Sequence, residues 1–154
     1  MGTISRLSLF FISVLIIACS ANRSSRQSID QGVKGVVAEA VGNQMPSPDR
    51  KPDGPKPIKT AIYVYELTNM SQVTREGNEP FYSAINTKLV KTVESDKEGR
   101  FAIELPQGSY SLFTKVDGKF YANLFDGKNN IQPVIVATNK VTELNITISA
   151  KAFY

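Results

Sequence analysis

Residues 99–116 contain the feature that most restricts the fold of this chain, an alternation of apolar and polar side chains with a period of two. In GRFAIEL (99–105) the apolar residues on one face are Phe101, Ile103 and Leu105. A period of two is that of a β-strand with one buried face. After residue 30, no stretch keeps the period of an amphipathic helix for three turns. The sequence therefore predicts an all-β fold.

Short apolar or alternating runs, separated by turn residues, predict seven strands. These are residues 32–41, 60–67, 87–95, 99–105, 109–116, 131–138 and 141–149. The proline-rich segment 42–59 is predicted to be a long irregular loop, and 68–86 a second long connection with at most one helical turn. Short strands at regular spacing are typical of a sandwich, with a barrel as the alternative. We predict a seven-stranded antiparallel Greek-key β-sandwich.

The first twenty residues, MGTISRLSLFFISVLIIACS, have the layout of a secretory signal. Arg6 precedes an apolar run that is too short to span a membrane comfortably. The segment LIIAC resembles the bacterial lipobox, which implies that Cys19 is lipidated and that the chain is cleaved before it. An ordinary signal or a buried lone cysteine is the alternative. The predicted organisation is a signal peptide with a signal helix (1–18), a lipidated flexible tether (19–30) and a sandwich domain (31–154).

The residues after Cys19 indicate a location. The segment SANRSSRQSID is polar and rich in serine, as expected of a flexible tether. Ser20, not Asp, follows the cysteine, which by similarity to enterobacterial sorting favours the outer membrane. No acidic residue follows immediately, so we expect the chain to face the periplasm.

Three motifs carry a family resemblance: V-x-G-x-V from Val33, D-x-x-G-x-F-x-I from Asp96 and L-P-x-G-x-Y from Leu105. With them, residues 32–148 resemble the carboxypeptidase regulatory-like domain, a transthyretin-like (prealbumin-like) sandwich. The resemblance implies a domain that accompanies enzymes, receptors and adhesins without performing the reaction. Together with GNQMPSP, the lipobox makes the chain similar to lipoproteins of Bacteroidetes-type bacteria.

The composition argues against most catalytic and metal chemistry. The 154 residues include no His and one Cys, so a Ser–His hydrolase and a thiolate metal cluster are excluded. The net charge is +4, and the basic residues alternate with acidic ones, unlike a nucleic-acid-binding stripe. Asp96, Glu98, Asp117 and Asp126 are interpreted as turn acids and not as a calcium site. We expect no cofactor, no bound metal and no nucleic-acid partner.

A self-made isopeptide bond is a further alternative, with Lys34, Glu104 and Asn145 as its residues. That reaction requires all three side chains to be buried, because burial lowers the Lys pKa and keeps the Glu protonated. Alternation with apolar neighbours places Glu104 and Asn145 on the outer faces of their strands. The sequence therefore predicts that no such bond forms.

The segment KFYANLFDGKNNIQP (119–133) is the best candidate for binding. Aromatic rings beside amide and carboxylate groups suit sugars or peptides. The candidate binding residues are Tyr121, Asn123, Phe125, Asp126 and Asn129. The alternative is that the aromatic residues belong to the core and that the polar residues form turns.

The expected function is that of a lipid-anchored, non-enzymatic β-sandwich module of the bacterial cell envelope. It is expected to contact the membrane through its lipid and an envelope protein or glycan through its surface. The alternative is a carbohydrate-binding envelope lipoprotein that uses segment 119–133. An enzyme relying on carboxylate or tyrosine chemistry is the third hypothesis.

Overall fold

The computed structural model describes residues 28–49, 51–77 and 80–154. The predicted signal helix, Cys19 and most of the tether lie outside the described residues. The described part contains twelve β-strands and one short 3-10 helix, Met70–Gln72. No helix within it is long and apolar enough to cross a membrane.

The strands form two sheets. In chain order they are β1 (Gly32–Asn43), β2 (Lys56–Pro57), β3 (Ala61–Glu66), β4 (Val73–Arg75), β5 (Phe81–Ile85), β6 (Leu89–Glu94), β7 (Arg100–Glu104), β8 (Gly108–Val116), β9 (Lys119–Tyr121), β10 (Pro133–Val136), β11 (Val141–Glu143) and β12 (Ile146–Phe153).

The smaller sheet is built around β1. Strands β7 and β2 pair with β1 in antiparallel orientation along one edge, and β11 and β12 pair with it in parallel along the other. Gly35 of β1 lies against the residues that join β11 to β12: a Cβ there would be 1.9 Å from the carbonyl oxygen of Leu144. Glycine at this position therefore permits a close backbone approach.

The larger sheet has the strand order β4-β5-β9-β8-β3-β6, and all its pairs are antiparallel. Strands β9 and β10 share one edge of β8: β9 pairs with residues 114–116 and β10 with residues 108–111. The chain between them, residues 122–132, leaves the sheet and returns to the same edge. This excursion contains most of the segment that the sequence singled out for binding.

The main core lies between the two sheets. The smaller sheet contributes Val33, Val37, Phe101, Ile103, Ile146 and Ile148, and the larger sheet contributes Ile62, Val64, Leu112, Val116, Tyr121 and Val134. The alternation of residues 99–105 is confirmed, since its apolar members are buried and Arg100 and Glu104 are exposed. The prediction of an all-β sandwich is likewise confirmed.

A second apolar cluster lies on the outer face of the larger sheet, the face directed away from the main core. Its buried members are Tyr65, Tyr82, Phe113, Ala122 and Ile131. Strand β8 is therefore buried on both faces, because Phe113 points into this cluster and its neighbour Leu112 into the main core.

The strand count and pairing differ from the prediction. Segment 68–86 contains the β4–β5 hairpin where a connection was predicted, and 141–149 is divided between β11 and β12. Strands β4 and β11 have three residues each, which is too short for alternation to identify them. The parallel pairing of β1 was also missed, because strand direction depends on partners far away in sequence.

Candidate functional site

The five predicted binding residues do not form one exposed surface. Tyr121 lies at the end of β9 and is only 2% exposed, because its side chain points into the main core. Its ring packs against Phe81 with the ring centroids 5.5 Å apart. The placement of Tyr121 on a binding surface is therefore corrected: the ring is not accessible to a ligand.

Tyr121 and Asn123 both contact Ser149 on β12, in the opposite sheet. The Tyr121 hydroxyl accepts a hydrogen bond from the Ser149 amide at 3.1 Å and lies 3.0 Å from its Oγ. The side-chain Nδ2 of Asn123 donates to the same Oγ at 3.1 Å. Tyr121 thus joins β9 to the opposite sheet, and Asn123 joins the 122–132 excursion to the same strand, β12.

Asp126 organises a turn with its own carboxylate. Its Oδ1 accepts from the amides of Lys128 at 2.8 Å and Asn130 at 2.9 Å, and its Oδ2 accepts from the Asn130 side chain at 2.8 Å. Asn129 adopts a φ of 62°, a left-handed conformation that asparagine tolerates. The pKa of Asp126 lies below its ordinary value because Asn130 donates hydrogen bonds to the carboxylate. The bond from the Asn130 side chain has the largest effect, and the bond from its backbone amide comes second.

Asp96 organises a second turn in the same way. Its Oδ1 accepts from the amides of Glu98 at 3.0 Å and Arg100 at 2.8 Å, and its Oδ2 accepts from Arg100 Nε at 2.8 Å. Gly99, with a φ of 72°, takes the position that Asn129 has in the other turn. Partial desolvation raises the pKa of Asp96, but the hydrogen bonds and charge of Arg100 outweigh it, so the pKa lies below its ordinary value.

The 126–130 turn is fixed to the 3-10 helix that begins at Met70. The Asn69 side chain donates to the carbonyl of Lys128 at 2.7 Å, and the Met70 amide donates to the carbonyl of Asn129 at 3.0 Å. Phe125, in contrast, is 47% exposed and has Leu124 beside it at 52%. Of the five predicted residues, Phe125 is therefore the one whose large apolar side chain remains accessible.

Sequence reasoning missed a set of residues on the outer face of the larger sheet. Tyr63 on β3 lies opposite Phe113, and Lys115, two residues further along β8, lies opposite Phe120 on β9. Directly opposed residues of antiparallel strands share a face, as do residues two apart on one strand. Tyr63, Lys115 and Phe120 therefore lie together, and we call these three residues the aromatic corner.

The geometry of the aromatic corner is well defined. The Tyr63 and Phe120 rings have centroids 5.3 Å apart and an interplanar angle of 87°, so they meet at right angles. The Lys115 ammonium lies 5.0 Å from the Tyr63 centroid and 4.7 Å from the Phe120 centroid. Both rings are half-buried, and Lys115 is exposed. In the sequence, the only signals for these residues are the alternation of Tyr63 and Tyr65 and the aromatic residue Phe120. Neither signal shows that β3, β8 and β9 are neighbours in the sheet.

The Lys115 ammonium forms no ion pair with the part of the chain that the structure describes. Glu94, which lies opposite Ala61 on the same face, pairs with Lys59 at 2.9 Å. The cation is therefore in contact with two aromatic rings and not with a carboxylate.

A shallow cleft of about 260 Å³ lies beside the end of β1. Its lining residues are Glu39, Val41, Asp53, Gly54, Lys56 and Ile58. Its charged groups pair with each other or with a neighbour: Lys56 lies 3.4 Å from Asp53, and Glu39 lies 3.6 Å from Lys151. The cleft thus presents no uncompensated charge.

The residues considered for an isopeptide bond are all exposed. Glu104 and Asn145 are exposed, as alternation predicted, and Lys34 is exposed as well. The Asn145 Oδ1 accepts a hydrogen bond from the Val36 amide at 2.9 Å. The burial that the reaction requires is absent at these three positions.

Among the described residues, no three His, Cys, Asp or Glu side chains are grouped so that they could hold a metal ion. No protein-family model matches the chain, and neither a curated protein nor a solved structure matches it significantly. The resemblance to the carboxypeptidase regulatory-like domain stays a prediction.

Proposed function

We propose that this chain is a lipid-anchored, non-enzymatic β-sandwich module of the bacterial cell envelope that acts through contacts with a protein or a polymer. The lipobox resemblance around Cys19 supports the anchor, since several acyl chains hold a protein at a membrane stably. The polar segment 19–30 separates the lipid from the sandwich. Ser20 after the cysteine favours the outer membrane, with the domain in the periplasm.

The observation that carries the proposal is that the polar side chains of the two candidate segments, 95–113 and 119–133, make hydrogen bonds that hold the fold together. Asp96 and Asp126 satisfy the amides of their own turns, and Tyr121 and Asn123 hold β12. A chain without histidine also has no ordinary acid–base group that titrates near neutral pH. What remains for function is the exposed surface. The resemblance to the carboxypeptidase regulatory-like domain also supports a non-enzymatic role, since those domains accompany enzymes, receptors and adhesins without performing the reaction.

Carbohydrate binding is the second candidate, and the aromatic corner favours it. Phe120 belongs to segment 119–133, but its neighbours Tyr63 and Lys115 come from β3 and β8. Half-buried aromatic rings beside a polar group suit a sugar. The candidate surface thus moves from the loop to the sheet.

Crosslinking in intact cell envelopes tests the proposal. The full chain is expressed in a Gram-negative bacterium, crosslinked, and purified under denaturing conditions beside the Cys19→Ala variant. We expect the parent chain to be recovered from membranes with a reproducible protein or polymer adduct, and the variant to lose both. A chain that is soluble without adducts, or one that turns over a substrate, contradicts the proposal.

A further inference from the structure

We propose that the aromatic corner formed by Tyr63, Lys115 and Phe120 binds an acidic saccharide, with the Lys115 ammonium contacting its carboxylate. This inference rests on the proposed function, in that it identifies the polymer as a glycan bearing uronic-acid carboxylates. It also assigns the contact to the outer face of the larger sheet.

The charge at the corner favours an anionic ligand. Lys115 is exposed and has no carboxylate partner in the described residues, while Glu94 and Glu76 are paired with Lys59 and Lys119. A ligand carboxylate can therefore approach the ammonium without displacing an internal salt bridge. Charge-assisted hydrogen bonds of this kind are about twice as strong as neutral ones.

A second cation lies in line with the first. In the strand register Lys115 is opposite Phe120, Phe120 is opposite Tyr82, and Tyr82 is opposite Arg75. These four residues therefore form one transverse row on the outer face. With strands about 4.8 Å apart, the two ends of the row are separated by about 14 Å. Arg75 is exposed but has an interaction of its own, so the carboxylate contact is assigned to Lys115.

The aromatic surface favours a saccharide over an acidic peptide. Peptide anchors bind best when a large side chain enters a well-packed pocket. The corner instead offers two perpendicular, half-buried rings at the sheet surface. The flat C–H face of a pyranose packs on such a ring without a pocket. When the ammonium moves to the carboxylate, it uncovers the ring faces that it occupies in the free protein.

The test measures binding of α-1,4-linked hexagalacturonate to the full chain in a neutral detergent by isothermal titration calorimetry. The fully methyl-esterified hexamer serves as the neutral probe, and hexaglutamate serves as the acidic peptide probe. We expect the acidic saccharide to bind about tenfold more tightly than either of the other two. Its affinity should fall as salt is added.

Two variants and a matched control assign the site. Lys115→Gln is expected to weaken binding of the acidic hexamer about tenfold and to leave the esterified hexamer unaffected. Phe120→Leu should weaken binding of both saccharides. Lys140→Gln removes another exposed lysine, outside the corner, and should leave the binding of both saccharides unchanged. Thermal unfolding of each variant confirms that it folds.

Three results overturn the inference: no binding of hexagalacturonate, equal loss in Lys115→Gln and Lys140→Gln, or hexaglutamate binding as tightly as the saccharide. These failures are distinguishable from failure of the proposed function. If envelope crosslinking still recovers a partner with the Lys115→Gln variant, the proposal of an anchored binding module is supported, and the proposal of a glycan site at the aromatic corner is contradicted.

Discussion

The Tyr121 hydroxyl accepts a hydrogen bond from the Ser149 amide at 3.1 Å, across the interface between the two sheets. Ser149 lies in β12 where the register with β1 changes: Glu39 pairs with Ile148, but Val41 pairs with Lys151. The extra residue makes a β-bulge, which leaves a backbone donor without a ladder partner. Tyr121 supplies that partner from the larger sheet.

Tyr121→Phe is therefore expected to lower the free energy of unfolding by about 1–3 kcal/mol, because it leaves the Ser149 amide unsatisfied. Urea unfolding measures the loss, and amide hydrogen exchange should be faster at Ser149. Tyr154→Phe removes a hydroxyl from a residue that is 75% exposed and serves as the control. An unchanged free energy of unfolding in Tyr121→Phe would contradict this role of the hydroxyl.

Phe101→Ala should destabilise the domain by about 3–5 kcal/mol, as expected when an aromatic core side chain is truncated. Phe101 is 5% exposed, and Phe125 is 47% exposed. Phe125→Ala should cost roughly half as much or less, since less apolar surface leaves water there on folding. Chemical unfolding of both variants provides the comparison, and equal losses would contradict the surface position of Phe125.

Gly35→Ala should destabilise the smaller sheet by about 1–3 kcal/mol or more, because its new Cβ meets the Leu144 carbonyl oxygen. Backbone must move to relieve that contact. Gly127→Ala is the matched control: no atom lies within 4 Å of the position that its new Cβ would take, so its effect should be within about 0.5 kcal/mol. Thermal unfolding distinguishes the two, and a neutral Gly35→Ala would contradict the close approach of β1 to Leu144.

Stability should fall in acid because of Asp96 and Asp126. The pKa of each is lower in the folded chain than the ordinary value of about 3.9. A carboxyl with a depressed pKa contributes stability above its unfolded pKa and loses it as the pH falls through the folded pKa. We expect the free energy of unfolding to decline below about pH 4.

The double variant Asp96→Asn/Asp126→Asn should be less stable at neutral pH and should show a smaller decline in acid. Urea unfolding between about pH 6 and pH 2 measures both slopes. Carboxyl ¹³C titration of the parent chain follows each aspartate separately. Identical acid profiles for the two proteins would show that these carboxylates do not govern the pH dependence.

Cys19→Ala should abolish lipid attachment. The parent chain, grown with a clickable palmitate analogue, is expected to be labelled and to sediment with membranes. The variant should be unlabelled and released, because without acyl chains no lipid anchor holds the tether. Labelling that persists in Cys19→Ala would show that the lipobox interpretation is wrong.

Local patterns in the sequence were sufficient for the all-β class and for the faces of several strands. Phe101, Ile103 and Leu105 are buried because alternation is a property of a strand itself and needs no knowledge of its partners. The turn at Asp96 could be predicted for a similar reason, since a short acidic side chain and a glycine three residues later act on neighbouring backbone.

The candidate site depended on contacts that no local pattern contains. Tyr121 and Phe120 are adjacent in sequence, yet one lies in the main core and the other on the outer face, and composition alone did not distinguish them. Asp126 and Asn129 were correctly seen as polar and close together, but the Asp126 carboxylate accepts hydrogen bonds from its own turn, and the Asn129 carbonyl accepts one from the Met70 amide.

The sequence by itself determined that this chain forms short strands with one apolar face, because strand periodicity follows from backbone geometry. Only the tertiary structure decided that β1 pairs in parallel with β12 and that Tyr63, Lys115 and Phe120 meet. Register and pairing bring together residues far apart in sequence, and they are set by how all the faces can be buried at once. That collective requirement places an exposed cation over two aromatic rings on one face and buries Tyr121 on the other.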